Sequence, residues 1–309
     1  MRLAAAVFAV ACLTAGDAWS DPAPQPVGAE VRAAIRTMEG GQVEAGRATL
    51  ERLARSGHAD AAEALGELTR VGALGLRADP VLACQYFALG SGQRGDAMHN
   101  VAFCYETGAM SGTPDFPRAA AHYQQAADMG NAKSKCALGN FYRMGRGVSK
   151  DQPRGIALCR EAAEAGVADA QTDLGDIYIM GQGVPKDVAA ARGWYEKAAA
   201  QGQRNALMTL GQIYWNADGV TKDNAKAADY WRRSYAAGRK DAAKFLGDEA
   251  FVRAKVSDGV WTLEGLTEAQ GWYEKGAAAE TPAFRAEADE RAKLAAELAG
   301  AMRRRDRPH

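Results

Sequence analysis

Four histidines and five cysteines are the side chains best suited to chemistry in this chain of 309 residues. Histidine moves protons near neutral pH, and histidine and cysteine together ligate zinc. The histidines are His58, His99, His122 and His309. The chain contains no G-x-S-x-G, H-E-x-x-H, C-x-x-C or H-x-x-x-H, the spacings typical of serine hydrolases and zinc sites. We therefore predict no catalytic or metal-binding residue, with zinc held by cysteines and His99 or His122 as an alternative.

Two further chemical signals are weak. Asp173 and Asp176 could exchange protons, but acidic residues three apart on a helix are typical of a solvated face. Loops such as "GRGVSKD" (145–151) contain the G-x-G of phosphate-binding loops, which follow a strand and open a helix. Here a helical pattern precedes the glycines, so we predict no nucleotide and no other cofactor.

The overall charge singles out no class of partner. Thirty-eight Lys and Arg balance thirty-eight Asp and Glu, which gives no electrostatic argument for nucleic acid or a membrane surface. Apolar residues make up 47% of the chain, enough for a sizeable core.

The first twenty residues predict export. They combine Arg2, an apolar run and a small-residue cleavage pattern that ends at Ser20, as in a removable signal peptide too short to span a bilayer. We expect a periplasmic or secreted protein with no transmembrane span after removal of residues 1–20. A lipoprotein anchored through Cys12 is a less favoured alternative.

A 36-residue period organises the rest of the chain. "LGNFYRMGRGVSKD" (138–151) returns as "LGDIYIMGQGVPKD" (174–187) and "LGQIYWNADGVTKD" (210–223). The Leu-Gly glycines are Gly139, Gly175, Gly211 and Gly247, and the register extends back to Ala102 and Gly66. A period of this length predicts a solenoid, in which stacked units bury a continuous core.

Each unit predicts a helical hairpin. In the third unit, residues 131–144 have the apolar spacing of a helix, which we name helix A, and residues 153–165 form helix B. Gly145 or Gly147 can end helix A in the left-handed conformation, and Asp151 can cap helix B. Gly166, Gly202 and Gly238 close helix B in the same way.

The glycine of the Leu-Gly pair predicts a close helix contact. Glycine inside a helix costs about 1 kcal/mol relative to alanine, so its repetition implies a packing role. We expect the aromatic position of helix B, occupied by Tyr123, Tyr195 and Trp231, to fill the space beside it.

These units resemble the Sel-1-like repeat, a relative of the tetratricopeptide repeat. The resemblance rests on the A-x-x-x-L-G-x-x-Y-x-x-G-x-G-V-x-x-D core and the W-Y-x-K-A-A-x-x-G ending, both present at 168–202. It implies an all-α fold, a right-handed α/α solenoid of about six helical-hairpin repeats with helical caps. The predicted organisation is a signal peptide (1–20), an N-terminal linker and capping helices (21–57), repeats (58–94, 95–131, 132–166, 167–202, 203–238 and 239–280), and a C-terminal capping helix with a basic tail (281–309).

Several units depart from the repeat pattern. The second lacks the Leu-Gly pair, and the fifth has Ala217 where glycine is expected. The sixth contains about six extra residues near "VSDGVWTLEG" (256–265). We expect a degenerate hairpin at 28–57 and a last helix that starts at Thr281 and Pro282 and runs to Met302.

The hairpins bring the four cysteines outside the signal peptide together in pairs. In an antiparallel pair of helices, facing positions are equally distant from the turn. Cys136 and Cys159 are centred on the turn within the third unit, and Cys84 and Cys104 on the turn between the first two units. We predict disulfides Cys84–Cys104 and Cys136–Cys159, which suit an oxidising compartment. Four reduced, buried thiols are the alternative.

The resemblance implies that helix A lines an extended surface for a partner. If the Leu-Gly pair and the following tyrosine are structural, the outward positions lie one and four residues after the glycine. The candidate partner-binding residues are Asn140, Arg143, Asp176, Ile179, Gln212, Trp215, Asp248 and Phe251. Trp215 and Phe251 could instead pack against the next helix.

We therefore predict an exported, non-enzymatic scaffold that holds an envelope protein or peptide on its concave face. The alternative is a protein that acts on β-lactams or binds cell-wall fragments, because some secreted members of the resembling family have been associated with penicillin binding or β-lactamase activity. Such serine chemistry would need S-x-x-K, S-D-N and K-T-G, and none of these occurs. The resemblance also implies relatives in envelope signalling, polysaccharide export or virulence, without selecting among them.

Overall fold

A computed structural model describes residues 28–92, 94–257, 260–276 and 282–305. The predicted signal peptide and Cys12 lie outside the described residues, as do Thr281 and the end of the basic tail. In the described residues no helix is both long and apolar enough to cross a membrane.

The described chain is almost entirely helical. The helices are α1 (Ala29–Glu39), α2 (Val43–Arg55), α3 (Ala59–Val71), α4 (Pro80–Gly90), α5 (Gly95–Thr107), α6 (Phe116–Asp128), α7 (Ala132–Met144), α8 (Gln152–Glu164), α9 (Ala168–Met180), α10 (Val188–Ala200), α11 (Arg204–Asn216), α12 (Asn224–Ala236), α13 (Ala242–Ala254), α14 (Leu263–Gly276) and α15 (Pro282–Arg305). Two short strands, β1 (Lys255–Ser257) and β2 (Val260–Trp261), form an antiparallel hairpin between α13 and α14. The predicted all-α solenoid is confirmed, and the extra residues of the sixth unit form this β-hairpin.

The chain divides into an N-terminal unit, Met1–Ala170, and a C-terminal unit, Gln171–His309. In the N-terminal unit, α1 packs on α2, α3 on α4, α5 on α6 and α7 on α8, and each hairpin contacts the next through α2 and α3, α4 and α5, or α6 and α7. Its first core cluster includes Ile35, Leu50 and Leu65, each at most 1% exposed. The helices at 28–57 therefore cover one end of this core.

The C-terminal unit continues the same pattern from α10 to α15, with each helix packed on the next. Among its described residues, each helix B contributes an aromatic side chain that is at most 1% exposed: Tyr195, Trp231 and Tyr273. The last helix, α15, packs on α14 and buries Ala288, Ala295 and Ala299.

The loop residues end and start the helices as the sequence predicts. The Asp151 carboxylate accepts a hydrogen bond from the Arg154 amide at 3.1 Å, which caps α8. Gly145 ends α7 with φ 70° and ψ 34°, a left-handed conformation that glycine adopts without steric cost. Ala217 takes the same conformation at the end of α11, with φ 63° and ψ 34°, although the first four units have glycine at this position.

The Leu-Gly glycines lie against helix B. A Cβ atom on Gly175 would come within 2.6 Å of the Tyr195 ring, and one on Gly211 would overlap the Trp231 indole. Gly139 differs, because α8 has no aromatic residue at this position and the glycine lies against the backbone of Gly155. The predicted contact is thus confirmed for Tyr195 and Trp231, whereas Tyr123 packs in a cluster with Ala102.

Candidate partner-binding surface

All eight predicted partner-binding residues lie on helix A of their repeats and are half-buried. In the N-terminal unit, Arg143 donates a hydrogen bond from Nη1 to Asn140 Oδ1 at 2.7 Å. The same register in α3 holds Arg70, which donates from Nη2 to Glu67 Oε2 at 2.6 Å. In α3 and α7, the residues one and four after the glycine therefore form polar pairs, which fix both guanidinium groups on helix A.

More exposed apolar side chains also lie on the A helices. Phe103 is 49% exposed and follows Ala102, the equivalent of the Leu-Gly glycine in the second unit. Met144 and Met180 end their A helices and are 53% and 57% exposed. The sequence prediction missed Phe103 because its unit lacks the Leu-Gly pair, although the 37-residue spacing from Ala102 to Gly139 locates it.

In the C-terminal unit, several candidates hold the hairpins together. The Asp176 carboxylate accepts a hydrogen bond from the Tyr195 hydroxyl at 2.6 Å, so it has a structural role across the hairpin. Ile179 is partly buried against the apolar cluster of α10 and α11. Trp215 packs on Trp231, with 5.6 Å between ring centroids. Gln212 is half-buried.

Asp248 is the centre of a polar network at the end of the C-terminal unit. Its Oδ1 accepts hydrogen bonds from the Tyr273 hydroxyl at 2.8 Å and from Arg291 Nη1 at 2.6 Å. Its Oδ2 lies 3.1 Å from Lys244 Nζ. Phe251 lies three residues after Asp248 on α13 and packs on Trp261, with 4.6 Å between ring centroids. These contacts join α13 to α14, α15 and the β-hairpin.

The tyrosines of these networks are hydrogen-bond donors. Burial, followed by the adjacent carboxylates, raises the pKa of Tyr195 and of Tyr273 above the usual range. Both hydroxyls therefore stay protonated at neutral pH and donate to Asp176 and Asp248. The Asp176 and Asp248 carboxylates accept these hydrogen bonds, so each tyrosine and aspartate pair joins helix A to helix B.

A second row of contacts fixes the tyrosine three residues after the glycine. The Arg154 guanidinium lies 4.1 Å from the centre of the Tyr142 ring, and the Lys226 ammonium lies 4.1 Å from that of Tyr214. Cations over aromatic rings stabilise such contacts by about 0.5–1 kcal/mol at exposed sites. The first turn of helix B is thereby held on helix A of the same hairpin.

The structure brings both predicted cysteine pairs to disulfide distance. Cys84 and Cys104 have 1.99 Å between sulfurs and 5.9 Å between Cα atoms. Cys136 and Cys159 have 2.16 Å and 4.0 Å. The first pair joins α4 to α5, and the second joins α7 to α8.

His99 and Glu63 of the N-terminal unit have pKa values far from the ordinary ones. Burial lowers the pKa of His99 to about 4, and the Lys133 ammonium adds to this effect; its Nδ1 lies 2.8 Å from Ser134 Oγ. Burial raises the pKa of Glu63 to about 7, although Arg94 Nε lies 3.4 Å from its carboxylate. The fold thus favours the neutral form of both groups. His122 instead stacks on Tyr105 at 5.2 Å.

Solved structures share this architecture. A Sel1 repeat protein from Oxalobacter formigenes is 24% identical over 82% of this chain and 99% of that chain, with a TM-score of 0.63. A protective antigen of uropathogenic Escherichia coli with an SLR fold is 25% identical over 90% of this chain, with a TM-score of 0.55, and this chain spans 62% of its length. An immunity protein from Pseudomonas aeruginosa is 19% identical over 69% of this chain and 84% of that chain, with a TM-score of 0.50.

Comparison with curated proteins finds no match. The sequence profile of the Sel1 repeat matches residues 59–92, 95–131, 132–167, 168–203 and 205–238, which is more than half of the chain. The five matches follow the hairpins from α3/α4 to α11/α12. The chain belongs to the Sel1 repeat family.

Proposed function

We propose that this protein is an exported, non-enzymatic adaptor that holds a partner protein on the surface formed by its A helices. The observation that carries the proposal is the run of five Sel1 repeats, since stacked hairpins offer extended surfaces for protein partners. Exposed side chains occur on the A helices of the first three repeats, at Arg70, Phe103 and Met144, so one partner can contact several repeats.

The chemistry of the A-helix surface suits a protein partner. In the N-terminal unit, the A helices carry exposed Phe103 and Met144 as well as Arg70 and Arg143. Aromatic residues, methionine and arginine are enriched at protein interfaces. Arg143 is held by Asn140, so less side-chain freedom is lost when a partner binds.

Export rests on the signal sequence at 1–20 and agrees with two cysteine pairs at disulfide distance. Disulfides persist in oxidising compartments and are rare in the cytosol. The mature protein would therefore work in the periplasm or outside the cell, on an envelope protein or peptide.

The test is affinity capture from an envelope extract with residues 21–309 as bait. Phe103→Glu and Arg143→Glu should each lose the partner that the wild-type protein captures. Arg36→Glu, an exposed residue of α1, is the matched charge control and should retain it. Circular dichroism checks that the variants fold. Loss with all three variants, or with none, would contradict the proposed surface, and nitrocefin turnover that copurifies with the protein would contradict the non-enzymatic role.

A further inference from the structure

A cleft of about 410 Å³ opens at the end of the C-terminal unit. Its lining comes from three helices and consists of Phe251, Tyr273, Glu287, Glu290, Arg291 and Leu294. The volume lies at the lower end of the range for pockets that hold small molecules, and it suits one or two peptide side chains. Leu294 is 48% exposed, so an apolar wall of the cleft faces solvent.

The described side chains that α15 buries fully are small. Ala288, Ala295 and Ala299 are at most 1% exposed. Alanines allow close approach of the helices, and Ala295 belongs to the same apolar cluster as the half-buried Phe251 ring that lines the cleft. The apolar part of the cleft is therefore built by the packing of α15, before any ligand arrives.

The walls of the cleft are fixed by an ion-pair network with balanced charge. Arg291 bonds Asp248 at 2.6 Å and Glu287 at 3.1 Å. Lys244 bonds the same two carboxylates, each at 3.1 Å. Two cations and two anions compensate one another, so these four residues position α15 and offer little net charge to a ligand.

Glu290 adds a negative charge that this network does not balance. It lines the cleft, is exposed, and makes no ion pair within the part of the chain that the structure describes. A ligand for this cleft gains most from an apolar group on Phe251 and Leu294 and a cation beside Glu290, since a charge-assisted hydrogen bond is stronger than a neutral one.

We propose that this cleft binds a segment of a partner protein in which a large apolar side chain is followed closely by lysine or arginine. The inference rests on the proposed function and specifies which side chains of the partner bind. The apolar side chain enters the space beside Phe251, and the basic residue pairs with Glu290 at the rim. The preformed walls reduce the ordering cost of binding.

The test uses residues 21–309 to select from a displayed library of random nonapeptides. The enriched peptides should carry an apolar residue next to Lys or Arg. An enriched peptide, made with a fluorescent label, should lose about tenfold in affinity for Glu290→Lys, as expected when a paired charge is reversed. Glu297→Lys makes the same change on α15 outside the cleft lining, and its affinity should stay within about twofold of wild type.

Four results would overturn the inference: no enrichment, enrichment of acidic or uncharged peptides, unchanged affinity for Glu290→Lys, or equal loss for Glu297→Lys. These results concern the cleft alone. If capture by the A-helix surface still depends on Phe103 and Arg143, the adaptor function stands while the cleft inference fails. If capture fails and the peptide selection succeeds, the partner surface lies at the cleft.

Discussion

Replacing Ala217 with glycine should stabilise the protein. Ala217 ends α11 with φ 63° and ψ 34° and donates its backbone N–H to the Ile213 carbonyl. Gly145 ends α7 with φ 70° and ψ 34° and makes the equivalent bond to Phe141. The two positions have nearly the same backbone conformation, so the side chain is the main difference between them.

The expected gain follows from two opposing terms. A left-handed conformation costs an L-residue roughly 1–2 kcal/mol, which Ala217→Gly removes. Glycine loses more conformational entropy on folding, which costs about 0.5–1 kcal/mol relative to alanine. The net stabilisation is about 0.5–1 kcal/mol, or a rise of about 1–4 °C in Tm. Gly145→Ala should be destabilising by about the same amount, and more if the new Cβ, 3.2 Å from Lys150 Cβ, forces a shift.

Urea and thermal unfolding followed by circular dichroism measure these changes. The matched control is Ala237→Gly, at the exposed end of α12, where φ is −72° and glycine relieves no strain. It should give no gain in stability. The reasoning is refuted if Ala217→Gly destabilises the protein, or if Ala237→Gly stabilises it as much.

Three further predictions test packing, covalent links and charge. Gly211→Ala should destabilise the protein by about 1–3 kcal/mol, because its Cβ overlaps Trp231. Gly193→Ala, with open space around its Cβ, should stabilise it by up to about 1 kcal/mol, and urea unfolding compares the two variants. Reduction of the two disulfides should cost about 3 kcal/mol for each loop of about twenty residues; unfolding with and without dithiothreitol measures this loss, and an unchanged midpoint would contradict it. Because the pKa of His99 is lowered, its contribution to stability is full above pH 6.5 and is lost as pH falls towards about 4. Because the pKa of Glu63 is raised, its contribution is full below pH 4.5 and is lost as pH rises through about 7. Between pH 4.5 and 6.5, the stability of Glu63→Gln should therefore rise more steeply with pH than that of wild type, and the stability of His99→Gln should fall more steeply. Unfolding at several pH values checks both slopes, and unchanged slopes would count against the burial of these groups.

The repeating parts of the fold were predictable because they depend on local chemistry. The 36-residue period, the Asp151 cap and the left-handed Gly145 each follow from one unit and its own turn. The cysteine pairing followed from the position of the turn alone, since facing residues in a hairpin are fixed by its centre. Ala217 shows the strength of this register, because its backbone keeps the left-handed conformation of the first four repeats although alanine is unfavourable there.

The roles of polar residues could not be predicted in this way. The repeat pattern predicts that Asp176 and Asp248 point outward from helix A, but each accepts a hydrogen bond from a tyrosine of helix B. Such partners depend on side-chain reach between helices. The charge network around Arg291 likewise depends on where α15 packs, after a stretch with no repeat pattern. The short β-hairpin forms where the sixth unit departs from the repeat register.

Hydrogen exchange on the captured complex can show whether the A helices form the partner-binding surface. Amide exchange would be compared for the free protein and for the protein bound to its captured partner. We expect binding to slow amide exchange in the A helices that carry the candidate residues, most strongly in α5 and α7. Exchange in the B helices α6 and α8 should be unchanged. Protection confined to the B helices, with the A helices unchanged, would contradict it.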